Sequence, residues 1–154
     1  MGDKNNTIDD NNLVEDYMTT TTVAMNFKKS ILDIAKKMFA ENISSVAITD
    51  DDGEIIGILT ERDMMKVIAN ELPPSGISAM NLMSFPIVTV KRKAPIEEAA
   101  KIMATKKLRH LIVEDTYGKD VVGIITSTDL ARYLKQKSKT NEELSRSEAW
   151  EIFF

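Results

Sequence analysis

Two segments of the sequence carry a threonine and an aspartate three residues apart, each directly after a short apolar run. They are Gly57-Ile58-Leu59-Thr60-Glu61-Arg62-Asp63 and Gly123-Ile124-Ile125-Thr126-Ser127-Thr128-Asp129. A strand that turns into a helix at such a point presents backbone amides and the positive end of the helix dipole, which suits a phosphate. The aspartate can accept two hydrogen bonds from a ribose diol, as acidic residues do in dinucleotide-binding folds. The pattern therefore indicates nucleotide binding.

The same spacing is also that of a helix capping box. The threonine hydroxyl then accepts the amide of the third helical residue, and the aspartate carboxylate reaches back to the threonine amide. The glycine that opens each segment would permit close packing of strand against helix. Either segment alone is explained by capping, so both interpretations stay open at this point.

The composition excludes several kinds of chemistry. The 154 residues contain no cysteine and one histidine, which excludes disulfides, thiol catalysis and a Cys/His zinc site. Asp63 and Asp129 lie 66 residues apart with no convergent base or nucleophile, so we predict that the chain is not an enzyme and needs no metal or cofactor. A net charge of −4 argues against a dedicated nucleic-acid binder.

No apolar run reaches the roughly 18 to 20 residues that a membrane helix needs. The first residues are polar and lack the apolar core of a signal peptide. We therefore expect a cytoplasmic protein with no membrane association.

The sequence repeats itself. A shift of 65 residues aligns Met18 with Met83, and a shift of 66 aligns Gly57 with Gly123. Because turn glycines, apolar residues and polar residues match in one order, the chain contains an internal duplication.

Each copy predicts the same series of elements. A short strand (Thr22 to Met25, or Ile87 to Val90) precedes a helix, which Ser30 caps in the first copy and which has Pro95 at its first position in the second. Two β-branched runs around an Asp/Gly turn then predict a hairpin, and a last helix starts near Thr60 or Thr126. The fold class is α/β (α+β), with two β-α-β-β-α repeats.

Each repeat is too small to bury both faces of its sheet alone, so we expect the two to pack together with pseudo-two-fold symmetry. The predicted organisation is a mobile polar N-terminal arm (1–12), repeat 1 (13–72), a linker (73–78), repeat 2 (79–135) and a C-terminal tail or helix (136–154). The tail ends in Ala149-Trp150-Glu151-Ile152-Phe153-Phe154, which would either pack on its own domain or anchor another subunit.

The duplicated Gly-x-x-Thr-x-x-Asp motif and the element order resemble a tandem pair of cystathionine β-synthase (CBS) domains, the Bateman module. The resemblance covers roughly residues 13–134. It implies a regulatory module that binds adenosine derivatives (AMP, ADP, ATP or S-adenosylmethionine) in two clefts between the repeats and transmits a conformational change to a partner protein. It also implies a homodimer, because two such modules commonly associate.

The resemblance implies a role for each matching position. Asp63 and Asp129 would hold ribose hydroxyls, with Thr60 and Thr126 beside the ribose and phosphate. The base or the phosphates would be flanked by Thr22, Ile87, Ile43-Ser44 and Leu108-Arg109, and His110 is also counted among the nucleotide-binding residues. The family often has a proline two residues after the His110 position, where this chain has Ile112.

The two copies differ before their central strands, where the first has Ser44-Ser45 and the second has Arg109-His110. An arginine binds phosphate bidentately, so the cleft with Arg109 is predicted to take a phosphorylated ligand best, with the other cleft weaker or empty. Two alternatives remain: a nucleic-acid-binding module, if Lys91-Arg92-Lys93 and neighbouring cations cluster, and a purely structural dimerisation module.

Overall fold

Each half of the chain forms a three-stranded sheet flanked by helices in a computed structural model that describes residues 12–20 and 23–153, with side chains to residue 142. The elements are α1 (Val14–Tyr17), β1 (Ala24–Asn26), α2 (Ile31–Glu41), β2 (Ser45–Thr49), β3 (Ile55–Thr60), α3 (Glu61–Ala69), α4 (Ala79–Leu82), β4 (Thr89–Lys91), α5 (Ile96–Lys106), β5 (His110–Glu114), β6 (Val121–Thr126) and α6 (Ser127–Phe153). The predicted α/β architecture of two β-α-β-β-α repeats is confirmed.

The predicted helix starts are close to the observed ones. Ser30 caps α2, because its Oγ accepts the Asp33 amide at 3.1 Å. Pro95 lies one position earlier than predicted: it is the N-cap of α5, with an extended ψ of 143°, and Ile96 is the first helical residue. The Ile96 amide donates to the carbonyl of Asn12 at 2.9 Å, so the N-terminal segment satisfies this helix start.

The strand order is the same in both sheets. β1 runs parallel to β2, which pairs antiparallel with β3, and β4, β5 and β6 repeat this arrangement. The first strands begin two residues later than predicted, at Ala24 and Thr89, where parallel pairing with Ala47 and Ile112 begins. Thr22 lies outside the described residues.

Each hydrophobic core includes residues from a segment that precedes the other repeat's first strand in the sequence. Val14 and Tyr17 of α1 pack in the core of the second repeat, and Ala79 of α4 packs in the core of the first. Each of these segments also adds a β-bridge to a sheet edge, Thr19 to Ile124 and Ser84 to Ile58. The predicted repeat boundaries at 13 and 79 follow the sequence duplication, whereas the packing crosses them.

The central strand of each sheet is buried on both faces. In β2, Val46 and Ile48 belong to the first core, so Ala47 points to the opposite face of the sheet, yet it is fully buried. Ile112 in β5 is the equivalent residue and is 1% exposed. Burial on both faces is consistent with the prediction that neither repeat could cover its sheet alone.

The last helix, α6, has 27 residues and continues the second repeat into the C-terminal tail. The side chains of the aromatic tail, Trp150 and Phe153 among them, lie outside the described residues, as does the predicted arm up to residue 11. Within the described part of the chain no helix is both long enough and apolar enough to cross a membrane.

Candidate functional site

Two clefts lie between the repeats, and each takes its residues from both. Cleft A, of about 420 Å³, contains Thr60 and Asp63 from the first repeat and Lys107, Leu108, Arg109 and His110 from the second. Ser44, Ile58, Glu61, Arg62, Lys66 and Ser84 complete its lining. The Thr/Asp pair of one repeat thus faces the segment before the central strand of the other.

Cleft B, of about 340 Å³, is the pseudo-symmetric counterpart. It joins Thr126 and Asp129 of the second repeat to Ile43 and Ser44 of the first. Thr19, Val23, Asn42, Ser45, Ile124 and Thr128 complete its described lining. Both cleft sizes suit a small ligand.

The Thr60–Asp63 pair forms a helix cap whose carboxylate also borders cleft A. The Thr60 amide and hydroxyl donate to Asp63 Oδ2 at 2.9 and 3.2 Å. The other carboxylate oxygen, Oδ1, accepts from Lys66 Nζ at 3.2 Å. Asp63 is 4% exposed. Because an ionised carboxylate offers about four acceptor positions, Oδ1 retains capacity for a ligand hydroxyl.

The Thr126–Asp129 pair repeats this geometry in cleft B. Asp129 Oδ2 accepts from the Thr126 amide at 2.8 Å and from its hydroxyl at 3.0 Å. The Asp129 amide donates to Thr126 Oγ1 at 3.3 Å, which completes the capping box. The second oxygen, Oδ1, pairs with Arg132 at 3.3 Å. Capping is therefore present at both motifs and does not occupy the whole carboxylate.

The helix amides are less available than the sequence predicts. The first amide of α3, Glu61, donates to Ser44 O at 3.0 Å, and the first amide of α6, Ser127, donates to Arg109 O at 2.9 Å. These bonds hold each pre-strand segment against the helix of its own repeat. An anion in either cleft must therefore find its main partners among side chains.

His110, which lines cleft A, contacts a residue that lines both clefts. Its Nε2 lies 3.4 Å from the hydroxyl of Ser44, a residue that lines both clefts. Burial lowers the pKa of His110 below its ordinary value near 6.5, against the opposing effect of the carboxylates of Glu61, Asp129 and Asp63. The ring is accordingly neutral at pH 7.

This burial predicts a pH dependence of stability. Because the folded-state pKa of His110 is lowered, the unfolded chain takes up a proton first as the pH falls. The free energy of unfolding should be constant from pH 7.5 to about 6.5 and then decline as the pH falls toward the folded-state pKa. The slope of this decline should correspond to the uptake of at most one proton on unfolding.

Urea denaturation at intervals between pH 5.5 and 7.5 measures this decline. The chain has a single histidine, so His110→Gln is a complete control and should remove the decline. An equal decline in His110→Gln would assign it to other groups.

The structure locates the predicted site residues with two qualifications. Thr22 is outside the described residues, and Ile87 is not among the described residues that line cleft A or cleft B. Sequence reasoning missed Lys66, Lys107, Asn42, Thr19 and Ser84. The duplication contained a signal for four of them, because the 65-residue shift aligns Thr19 with Ser84 and Asn42 with Lys107.

The basic run at residues 91–93 is neutralised by neighbouring acids. Lys91 pairs with Glu114 at 3.1 Å, and Arg92 and Lys93 both pair with Glu15. Arg92 also lies 3.6 Å from Asp115. These cations hold α1 and the β4 edge together, which weakens the nucleic-acid alternative.

A family model for the CBS domain matches the chain twice, at residues 14–70 and 79–136. The chain belongs to the CBS domain family. An uncharacterised protein of Methanopyrus kandleri is 36% identical over 116 residues, covering 75% of this chain and 59% of that protein. The chain therefore spans less than two thirds of this relative's length.

Two crystal structures of CBS proteins resemble the chain. A conserved CBS domain protein of unknown function from Thermoplasma acidophilum matches with a TM-score of 0.73 and 31% identity, covering 88% of this chain and 76% of that one. The CBS domain pair of protein MJ0100, in complex with 5′-methylthioadenosine and S-adenosyl-L-methionine, matches with a TM-score of 0.72 and 28% identity. That match covers 81% of this chain and 97% of the other.

Proposed function

We propose that this CBS pair is a regulatory module that binds adenosine-containing ligands (AMP, ADP, ATP or S-adenosylmethionine) in clefts A and B and transmits a conformational change to a partner protein. The observation that carries the proposal is that each cleft combines the Thr/Asp pair of one repeat with the pre-strand segment of the other. A ligand held by both sides would change how the repeats sit against each other. The complex of the MJ0100 pair with two adenosine compounds supports this ligand class.

The chemistry of the clefts suits an adenosine. Asp63 and Asp129 each direct Oδ1 toward a cation rather than into a saturated network, so a ribose diol has an acceptor there. Ile58 and Leu108 in cleft A, and Ile43 and Ile124 in cleft B, offer apolar surface for the base. The lysines and arginines of cleft A favour a phosphorylated ligand there.

We propose a regulatory role rather than a catalytic one. Among the described residues of the clefts, the contact between Ser44 Oγ and His110 Nε2, at 3.4 Å, is the one that resembles a serine nucleophile and its base. A serine nucleophile of this kind needs a base that a third group orients, and no described residue forms a hydrogen bond to His110 Nδ1.

We also propose that the module forms a homodimer in the cytoplasm. The exposed faces of α2 and α3 carry large apolar side chains, with Phe39 91%, Ile68 72% and Met65 63% exposed. Apolar groups of this size on neighbouring helices are typical of a surface that another subunit covers.

A thermal-shift screen tests ligand binding. An adenosine compound at about 100 times its dissociation constant should stabilise the fold by about 2.7 kcal/mol, since it binds only the folded state. For a chain of this size we expect Tm to rise by roughly 5 to 10 °C.

The double variant Asp63→Asn with Asp129→Asn should lose this rise, because each asparagine keeps one acceptor for the cap and lacks the second acceptor for the diol. Asp52→Asn removes one negative charge from an exposed turn outside the described lining of both clefts and is the control for a change of charge alone. The absence of a shift with AMP, ATP, adenosine and S-adenosylmethionine alike would refute the proposed function.

A further inference from the structure

Clefts A and B have opposite charge. The described lining of cleft A includes the cations Arg62, Lys66, Lys107 and Arg109 against two carboxylates, with a neutral His110. Among the described residues that line cleft B, Asp129 is the one charged group. The two clefts therefore differ in the electrostatic potential that they present to a ligand, although their Thr/Asp pairs match.

The difference lies at equivalent positions of the duplication. Arg62 corresponds to Thr128, Lys107 to Asn42 and Arg109 to Ser44. At all three positions a cation lining cleft A is replaced by a neutral polar side chain lining cleft B. Cleft B thus keeps hydrogen-bonding capacity and has lost positive charge.

A fourth pair of equivalent residues retains its positive charge, but the two cations differ in their further contacts. Lys66 lines cleft A, and its counterpart is Arg132. The Arg132 guanidinium donates to Tyr17 O at 2.8 Å and lies 5.8 Å from the centre of the Tyr17 ring. Arg132 pairs with Asp129 at 3.3 Å, as Lys66 pairs with Asp63, but it also holds α1 against α6 and is not among the described residues that line cleft B.

The backbone of α6 does not replace the missing cations. The Ser127 amide donates to Arg109 O at 2.9 Å, and the Asp129 amide donates to Thr126 Oγ1 at 3.3 Å. Of the first three helix amides, two are consequently used within the protein. A phosphate in cleft B would lose its hydration beside the Asp129 carboxylate. Arg132, which pairs with that carboxylate, is held at Tyr17 O and is not among the described residues that line the cleft.

We infer that cleft B takes an adenosine compound without a phosphate, a nucleoside whose 5′ substituent is neutral or cationic, while cleft A takes a phosphorylated one. This inference rests on the proposed function. The module would then bind two chemically different ligands. Ser44 lines both clefts and contacts His110, so it lies between the two ligand sites.

Calorimetry on single-cleft variants tests the inference. Asp63→Asn leaves cleft B intact, and Asp129→Asn leaves cleft A intact. The probes are AMP, adenosine and 5′-methylthioadenosine. We expect Asp63→Asn to bind 5′-methylthioadenosine at least tenfold more tightly than AMP, and Asp129→Asn to show the reverse preference. Raising the salt concentration should lower the affinity of cleft A for AMP and leave the affinity of cleft B for the neutral ligand unchanged.

A gain-of-charge variant tests the cause. Asn42 has a left-handed φ of 51°, and its counterpart Lys107 has a φ of 55°, so the chain already accepts lysine in this conformation. Asn42→Lys in the Asp63→Asn background should raise the affinity for AMP about tenfold, the usual effect of one charge-assisted hydrogen bond. Asn42→Gln is the uncharged control of similar size. An unchanged affinity in Asn42→Lys would overturn the inference.

The outcomes separate the two proposals. Equal binding of AMP and 5′-methylthioadenosine by Asp63→Asn would overturn the inference and leave the proposed function in place. Failure of every probe to bind the unaltered chain would refute both. If an aspartate variant does not fold, Ser84→Trp and Thr19→Trp fill clefts A and B from exposed lining positions and allow the same comparison.

Discussion

Gly123→Ala is expected to lower the free energy of unfolding by about 2 to 3 kcal/mol, near the upper end for an overpacked site. A Cβ at Gly123 would lie 2.5 Å from the carbonyl oxygen of Thr19. That oxygen cannot turn away, because it accepts the Ile124 amide at 3.0 Å while the Thr19 amide donates to Ile124 O at 2.9 Å. The substitution should therefore displace the whole segment around Thr19 from the sheet edge.

The matched variant Gly57→Ala should cost less. Its Cβ would also meet an atom at 2.5 Å, but that atom is the sulfur of Met83, at the end of a flexible side chain, and the nearest backbone atom is Ser84 O at 3.1 Å. Gly118→Ala is the control, since Gly118 is exposed and no neighbouring atom lies closer than 4.0 Å. Urea denaturation measures all three, and equal losses for Gly57→Ala and Gly123→Ala would contradict the backbone contact as the cause.

These glycines also show where sequence reasoning reached its limit. The sequence favoured a glycine that allows the strand to pack on its helix or a ligand to approach. Instead, the absence of a side chain at Gly57 leaves room for Met83 and Ser84, and its absence at Gly123 leaves room for Met18 and Thr19. Those residues come from segments outside the β-α-β-β-α unit, and periodicity within a unit carries no information about which distant segment pairs with its edge.

The features that are local in sequence were predictable. The capping motifs at Thr60 and Thr126 predicted the helix starts, and the Asp/Gly turns predicted the hairpins. The duplication predicted two similar halves. It could not predict that Arg109 would line the same cleft as Asp63 of the other repeat, because that arrangement depends on how the two repeats pack together. For the same reason, the sequence could not predict that Val14 and Tyr17 of α1 would pack in the core of the second repeat.

Arg109→Ala is expected to weaken the binding of AMP and ATP in cleft A by about 10- to 100-fold. Hydrogen bonds to charged partners contribute roughly 1.5 to 3 kcal/mol, and each 1.4 kcal/mol corresponds to a factor of ten. The Arg109 side chain is exposed and forms no described ion pair, so its removal should leave the stability of the fold nearly unchanged. The backbone oxygen that accepts the Ser127 amide is retained in the variant.

The comparison with unphosphorylated adenosine isolates the phosphate contact. Adenosine should bind Arg109→Ala and the unaltered chain with equal affinity, since Asp63 and the apolar lining remain. Lys106→Ala removes one positive charge from the exposed end of α5, outside the described lining of cleft A, and should change AMP affinity little. Calorimetry gives all of these constants. An equal loss for AMP and adenosine would mean that Arg109 shapes the cleft rather than binding phosphate, and an equal loss in Lys106→Ala would reduce its role to long-range attraction.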